Sequence, residues 1–387
     1  TMKRNQSIIN EEFLQDPLKL EEAIGFTQYD MDSARLILKS NDTIPFSLRN
    51  QLLVQGAGVV LDPVHGHILG MIGGREEDIY RDHFNRATQA KRQPGSVFKP
   101  FIYLTALEQG YTTTTELLNQ PLIVFIDDTT QWNPQNHDGS TGLLTTLREG
   151  LRRSLNLISV RVVQELVEPK DIVKNAKDFG LSTYIRAVDA IALGVSEVYP
   201  LEITAAYATI ANNGIYSKPM AITRIEDRHG RIIKQYSPES REIQDEGTIF
   251  ILRDMMRSVV DGGTGGSLRW KYKFYAPAAG KTGTTNGKTD AWFVGFTPQL
   301  ALGIWIGMDD PAISLGEKQF GSAAALPIFA NTIKNIYEMG EFQIDNQTIL
   351  LNKREQWNKP NNIVKIEICE DSFEKSTRFC QNKTEEI

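Results

Sequence analysis

Ala279-Gly280-Lys281-Thr282-Gly283-Thr284-Thr285, then Asp290–Thr297 and Leu300–Gly307, read as three successive β-strands with turn residues between them. Lys281–Thr285 is Thr-rich with a glycine at its centre, which suits a sheet-edge strand that something approaches closely. Near the other end of the chain, Gly58–Gly73 reads as a hairpin, with two apolar runs flanking a turn at Pro63–Gly66. Helical periodicity fills the interval: Phe98–Glu108, Leu144–Leu155, Leu157–Val167, Ile172–Phe179, Leu201–Asn212 and Thr248–Val260. Asn213-Gly214 and Asp261-Gly262-Gly263 stop the last two. Strands at both ends with helices between them predict an α+β fold. Its single antiparallel sheet draws strands from distant parts of the chain, with helices on both faces.

Texture divides the chain into three. Residues 1–45 are polar and charged, with breaks at Asp16-Pro17 and Asp42-Thr43, and are expected to form a linker segment. Residues 46–340 carry every strong pattern and are the expected main domain; residues 341–387, rich in Asn, Lys and Glu, are the expected tail, ending as a short strand and loop. The composition, 41% hydrophobic and 23% charged, excludes disorder, collagen and coiled coil as whole-chain readings. A net charge of −6 argues against a general nucleic-acid binder. No run approaches the ~20 apolar residues that span a bilayer. The chain opens Thr1-Met2-Lys3, and from this we expect a fragment whose upstream anchor is missing. Cys369 and Cys380 are either two unrelated thiols or, in an oxidising compartment, a disulfide across a short loop.

Three motifs carry chemistry. In Arg92-Gln93-Pro94-Gly95-Ser96-Val97-Phe98-Lys99-Pro100, Pro-Gly breaks the chain just before an apolar helix. Ser96 is thereby placed at the helix start, among free backbone N–H groups and the positive end of the helix dipole. Lys99, three residues on, shares its face and, if neutral, can take its proton. Pro100 falls in the first turn, where a missing N–H costs little. The second motif, Ser154-Leu155-Asn156, lies at a junction of two helical patterns, so Ser154 and Asn156 can point into one cleft. The third is Lys281-Thr282-Gly283. By alternation Thr282 and Thr284 share a face, so two hydroxyls can hold one carboxylate, and a peptide can add alongside as an extra strand. A phosphate-loop reading of Gly280-Lys281-Thr282 fails, because Tyr275 stands where the upstream glycine belongs.

In this order, separated by about 55 and 125 residues, Ser-x-x-Lys, Ser-x-Asn and Lys-Thr-Gly resemble the set of penicillin-binding proteins and serine β-lactamases. Further blocks resemble the transpeptidase half of class A penicillin-binding proteins, over roughly residues 50 to 335. They are Phe84–Thr88, Arg92-Gln93-Pro94-Gly95-Ser96, Trp132-Asn133-Pro134-Gln135-Asn136, Ala192-Leu193-Gly194, Ala206-Tyr207, Ala211–Gly214 and Asp290-Ala291-Trp292-Phe293-Val294-Gly295. The resemblance implies a five-stranded sheet and a cofactor-free, metal-free serine D,D-transpeptidase that β-lactam antibiotics acylate. It implies Ser96 as nucleophile, Lys99 as base, and Ser154 with Lys281 as proton relay. Asn156, Thr282, Gly283 and Thr284 become substrate-binding residues, with the oxyanion hole at the backbone N–H groups of Ser96 and Thr284. The implied partners are peptidoglycan stem peptides and a glycosyltransferase domain or partner absent from this chain. The implied location is outside the cytoplasmic membrane, anchored to it in the full-length protein.

Rival readings stand beside these. A D,D-carboxypeptidase or β-lactamase shares the fold, and a penicillin-binding receptor without catalysis is the alternative from another class. A lactamase needs a general base for water; Glu165, Glu168 and Glu197 are the candidates, none in a matching loop. His65 and His67 flank Gly66 in the predicted turn and read as solvated, with no third metal ligand at useful spacing. Asp261–Gly266 reads as a flexible loop over the cleft rather than a nucleotide site, because it follows a helix. Trp132 and Trp292 read first as core and second as walls of the groove.

Overall fold

In the computed structural model, residues 53–387 are described, apart from 76–82, 126–130, 138, 345–346 and 371. The linker expected over 1–45 lies outside the described residues. The hairpin forms as β1 (Gln55–Leu61) and β2 (Ile68–Ile72); β3 (Ala279–Thr284), β4 (Asp290–Phe296) and β5 (Ala301–Gly307) follow two hundred residues later. They join as one antiparallel sheet in the order β3-β4-β5-β1-β2. The seam pairs Gln55 with Gly307 and Leu61 with Ala301, so the first strand in sequence closes against the last.

Period-two alternation sends successive side chains of this sheet to two different cores. Trp292, Val294 and Phe296 of β4 join Ala57, Val59 and Leu61 of β1 in the larger cluster, whereas Phe293 joins Leu302 and Ile304 of β5 in the smaller. The larger core is filled by α1 (Lys99–Glu108), α2 (Leu147–Arg152), α3 (Asn156–Arg161), α4 (Pro200–Ala211) and α5 (Glu246–Gly262). The smaller lies under α6 (Gly321–Met339). Helices therefore cover both faces. Every residue of α1 from Lys99 to Ala106 is buried, as expected of a helix that is apolar all round. Trp292 is wholly core, and Trp132 is half-buried against the larger cluster.

The helix expected over Leu144–Leu155 is shorter. Leu144–Thr146 pairs with Glu116–Leu118, and only then does α2 begin, capped by Thr146 Oγ1 accepting from Glu149 N at 3.3 Å. It ends at Arg152 because Ser154 takes a left-handed conformation, φ 60°. The pattern over Leu157–Val167 splits into α3 and a π-turn at Val162–Leu166. Asp261 and Gly262 belong to the last turn of α5, not to a loop. Gly263 packs on Arg152, and Thr264 N donates to Arg152 O at 3.3 Å.

Beyond Gly340 the chain forms two hairpins, Glu341–Ile344 with Gln347–Leu350 and Ile366–Cys369 with Lys383–Glu386, rather than one strand. A Cys369–Cys380 disulfide closes the second. Residues of this region pack back on the sheet and its helices: Trp357 Nε1 donates to Ala211 O at 3.0 Å, its ring meets Phe296 edge-on, and Glu386 pairs with Arg148. Among the described residues no helix is long and apolar enough to cross a membrane.

Candidate active site

Ser96 sits in a 3₁₀ turn, Gly95–Phe98, that leads directly into α1. Pro100 lies in the first turn of α1 as expected. Gly95 adopts φ 54°, and a Cβ there would lie 2.7 Å from Thr284 O, so only glycine lets the serine turn touch β3. The turn is tied down on three sides. Arg92 exchanges backbone hydrogen bonds with Val198, Trp292 Nε1 donates to Gln93 O at 2.8 Å, and Tyr207 Oη donates to Val97 O at 2.7 Å.

Lys99 and Lys281 are fully buried behind the cleft and meet at Ser154. Lys99 Nζ donates to Ser154 O at 2.7 Å and Asn156 Oδ1 at 2.8 Å, with Ser154 Oγ at 3.4 Å. Lys281 Nζ donates to Ser154 Oγ at 2.7 Å. The left-handed turn at Ser154 is what presents its carbonyl and its hydroxyl to two different lysines. Two acceptors use two N–H bonds of a neutral Lys99, which leaves its lone pair for a hydroxyl proton. Ser96 Oγ lies on the cleft and makes no hydrogen bond among the described residues, so this hydroxyl is not tied up by the protein.

Burial drives both lysines toward the neutral form. Desolvation lowers Lys99 well below the ordinary lysine range, and the charge of Lys281 lowers it further. Burial pulls Lys281 down to about 7. This has a consequence for stability. The folded state sheds the Lys281 proton near pH 7, while an unfolded lysine keeps it to about 10.4. Over that window the unfolded state binds more protons, so stability rises with pH, by at most about 1.4 kcal/mol per unit for this one group. Lys281→Met removes that slope, so the stability gap between variant and parent should shift steadily in the parent's favour between about pH 7 and about pH 9. Urea titrations across the range check it; a gap that does not change would place the titration elsewhere.

The cleft itself encloses about 450 Å³, and Ser96, Ser154, Asn156, Thr282 and Thr284 stand on its walls. Thr282 Oγ1 is 2.8 Å from Thr264 Oγ1, and Thr284 Oγ1 accepts from Gly321 N at 3.0 Å, so both hydroxyls are oriented. Gly283 faces the other way. A Cβ on it would lie 2.5 Å from Pro94 O and 2.7 Å from Val97 Cγ2, so the room it leaves is filled by the serine turn rather than by substrate. The close approach expected at this glycine is thus made by the serine turn.

Some contributors were not anticipated. Asp290 Oδ1 accepts from Arg92 Nε at 2.7 Å and from Trp305 Nε1 at 2.8 Å, in a buried ion pair that fastens the serine turn to β4. Its partners are 198 residues apart in sequence, beyond the reach of any local pattern. Asn136 Oδ1 accepts from Leu157 N at 3.0 Å, and Gln135 O accepts from Asn156 Nδ2 at 2.8 Å, so the Trp132–Asn136 block orients the Ser-x-Asn segment. Thr264 joins the wall through the turn read as a flexible loop. None of Glu165, Glu168 and Glu197 lines the cleft: Glu165 pairs with Arg161, Glu168 pairs with Lys170, and the Glu197 carbonyl accepts from Thr183. The reading of His65 and His67 is also revised, because Asp62 supplies a third donor close to both.

The family model of the penicillin-binding protein transpeptidase domain matches residues 56–334. The chain belongs to the penicillin-binding protein transpeptidase family. It is 34% identical over 342 residues to penicillin-binding protein 1A of Rickettsia typhi, covering 80% of this chain and 42% of that protein. With the Aquifex aeolicus penicillin-binding protein 1A it shares 36% over 306 residues, 77% of this chain and 41% of the other. The fold is similar to penicillin-binding protein 1A from Haemophilus influenzae, with TM-score 0.76 and 26% identity over 86% of this chain and 53% of that one. PonA1 from Mycobacterium tuberculosis gives TM-score 0.64 at 25% identity, over 72% and 75% of the two chains. The chain thus spans about two fifths of the length of the curated relatives it matches. The transpeptidase match falls within the main domain expected at 46–340.

Proposed function

We propose that this chain is a serine D,D-transpeptidase that cross-links peptidoglycan stem peptides and is trapped by β-lactams. One observation carries it: Ser96 and Ser154 share a cleft with two buried lysines converging behind them, and no described residue lining that cleft is Asp or Glu. Ser96 Oγ attacks the carbonyl between two terminal D-alanines, and neutral Lys99 takes its proton. The C–N bond breaks, and the departing amine gains a proton through Ser154 and Lys281. An amine of a second stem peptide then attacks the ester, gives up a proton to the same relay, and frees Ser96. Backbone N–H groups of Ser96 and Thr284 are the proposed oxyanion hole, worth ~3–4 kcal/mol per donor. The close seat of Gly95 on Thr284 supports it. Thr282 and Thr284 hold the terminal carboxylate, and Asn156 the amide.

Such a substrate places the domain outside the cytoplasmic membrane, supplied with glycan strands by a glycosyltransferase domain or partner. The proposed domain runs over 46–340, with 1–45 as linker and 341–387 as tail.

The absence of a carboxylate on the described cleft wall favours transpeptidase over β-lactamase. Fast hydrolysis of an acyl-serine needs a base on water, worth typically 10²–10⁴-fold. A chromogenic cephalosporin should therefore give a burst of about one equivalent, then a nearly flat trace, with the acyl-enzyme persisting for many minutes by mass spectrometry. Sustained turnover at several per second would make the chain a β-lactamase.

A further inference from the structure

The turn between β1 and β2 brings together a set of donors that the acyl-transfer chemistry does not use. Within Asp62-Pro63-Val64-His65-Gly66-His67, one ligand atom each from Asp62, His65 and His67 lies within 4.8 Å of the others. His65 Nδ1 is 2.6 Å from Asp62 Oδ2, and His67 Nδ1 is 3.7 Å from the same oxygen. Gly66, at φ 74°, turns the chain so that both imidazoles fall on one side, with ring planes 15° apart and centroids 5.3 Å apart. We propose that Asp62 Oδ2, His65 Nδ1 and His67 Nδ1 bind a divalent transition metal of the zinc class, with a coordination position left open.

The geometry is close to what such an ion needs. Bonds of ~2.0–2.2 Å in a tetrahedral shell put donor atoms about 3.3 Å apart. The 2.6 Å approach has to open and the 3.7 Å approach has to close, each by well under 1 Å, and one of the two stacked rings has to swing so that both in-plane lone pairs meet at the ion. His67 Nδ1 is enclosed and has no hydrogen-bond partner among the described residues, an arrangement that buried polar atoms rarely tolerate and a metal bond would relieve. The carboxylate is already oriented, since Val64 N donates to Asp62 Oδ1 at 2.8 Å and leaves Oδ2 to face the imidazoles. The turn is braced from behind: Met220 N donates to Gly66 O at 2.8 Å, and Ser217 Oγ donates to Val64 O at 2.7 Å. In front lies a cavity of about 300 Å³, bordered by Thr223, Gln235 and Tyr236, with room for water or an exogenous donor in the open position.

Two imidazoles and one carboxylate select for Zn²⁺, Co²⁺ or Ni²⁺ over Mg²⁺ and Ca²⁺, which take oxygen shells. The location separates this ion from acyl transfer. β1 and β2 end the sheet on the side away from β3, which carries Lys281. All three donors lie in the β1–β2 turn, so the ion would lock the conformation of that turn, a structural role.

The test uses the full chain after exhaustive chelation. Zn²⁺ titrated calorimetrically should bind saturably at about one equivalent, and Co²⁺ should give the visible absorption of a low-coordinate nitrogen–oxygen site. Asp62→Asn and the double variant His65→Ala/His67→Ala should each weaken binding by at least about 10-fold. Zn²⁺ should raise the melting temperature of the parent and leave that of the double variant unchanged. The variants are shown to be folded by circular dichroism and by penicillin labelling at the parent rate, which chelation also should not alter. Absence of saturable Zn²⁺ binding by the parent, equal binding by folded variants, or Mg²⁺ binding as tight as Zn²⁺ would each overturn the proposal.

Discussion

Ser96→Ala should abolish covalent labelling by a fluorescent penicillin while unfolding within about 1 kcal/mol of the parent. The expectation has a structural reason on each side. Ser96 is the hydroxyl that combines a cleft position with placement one helical turn before a buried lysine. Ser154 is the rival hydroxyl in the same cleft. It accepts from Lys281 and its carbonyl accepts from Lys99, which suits a relay and leaves it poorly placed to attack. Loss of the Ser96 hydroxyl breaks no internal hydrogen bond among the described residues, and Gly95, Val97 and Phe98 keep their packing. Catalysis should fall by orders of magnitude, since a nucleophile acts as a unit with its base and cannot be partly replaced. Gel labelling and a thermal melt on the same preparation decide it. A folded variant that still labels would move the acylated residue to Ser154 or beyond.

The parts legible in the sequence are those governed by local periodicity. β4 and β5 are legible as short continuous apolar runs because both faces are buried under different cores, so nearly every position is constrained. Helix α1 was readable from its proline and its apolar run, and Lys99 from its spacing to Ser96. Leu144–Thr146 was not, because an apolar run of three is compatible with either element until the cap at Thr146 and the pairing with Glu116–Leu118 decide it. The direction of Gly283 was hidden for another reason. Alternation says that it opposes Thr282 and Thr284, but only the tertiary packing says that Pro94 and Val97 occupy the space. Arg92 and Asp290 sit inside blocks that the resemblance marked, yet their pairing emerges only when β4 is laid beside the serine turn. Breaking a buried pair of this kind costs about 3–5 kcal/mol, so two segments distant in sequence are coupled energetically as well as topologically. Asp62 shows the opposite failure. It lies three residues from His65, yet only the folded turn brings its carboxylate close to both imidazoles.

Lys99→Arg should reduce the acylation rate by a factor of about 10²–10⁴, the usual worth of a positioned general base. Charge alone is not what Lys99 provides. Its amine is fully buried, and desolvation together with the neighbouring Lys281 favours the neutral form that can accept the Ser96 proton. A guanidinium stays protonated in proteins, so arginine retains a cation and donors for Ser154 O and Asn156 Oδ1 but offers no lone pair. It is also bulkier, and the site is fully packed, so some loss could come from displacement of Asn156 rather than from the missing base. Lys99→Met separates the two. It has nearly the length of lysine, no charge and no basic nitrogen, so it should be as slow as the arginine variant if proton transfer is the deficit. Stopped-flow acylation by benzylpenicillin, with thermal melts to verify folding, compares the three proteins. If Lys99→Arg acylates at nearly the parent rate, the positive charge is what Ser96 requires and the base is another group. If Lys99→Met alone is fast, the loss in arginine is steric. Slow acylation in both, in folded protein, assigns the Ser96 proton to Lys99.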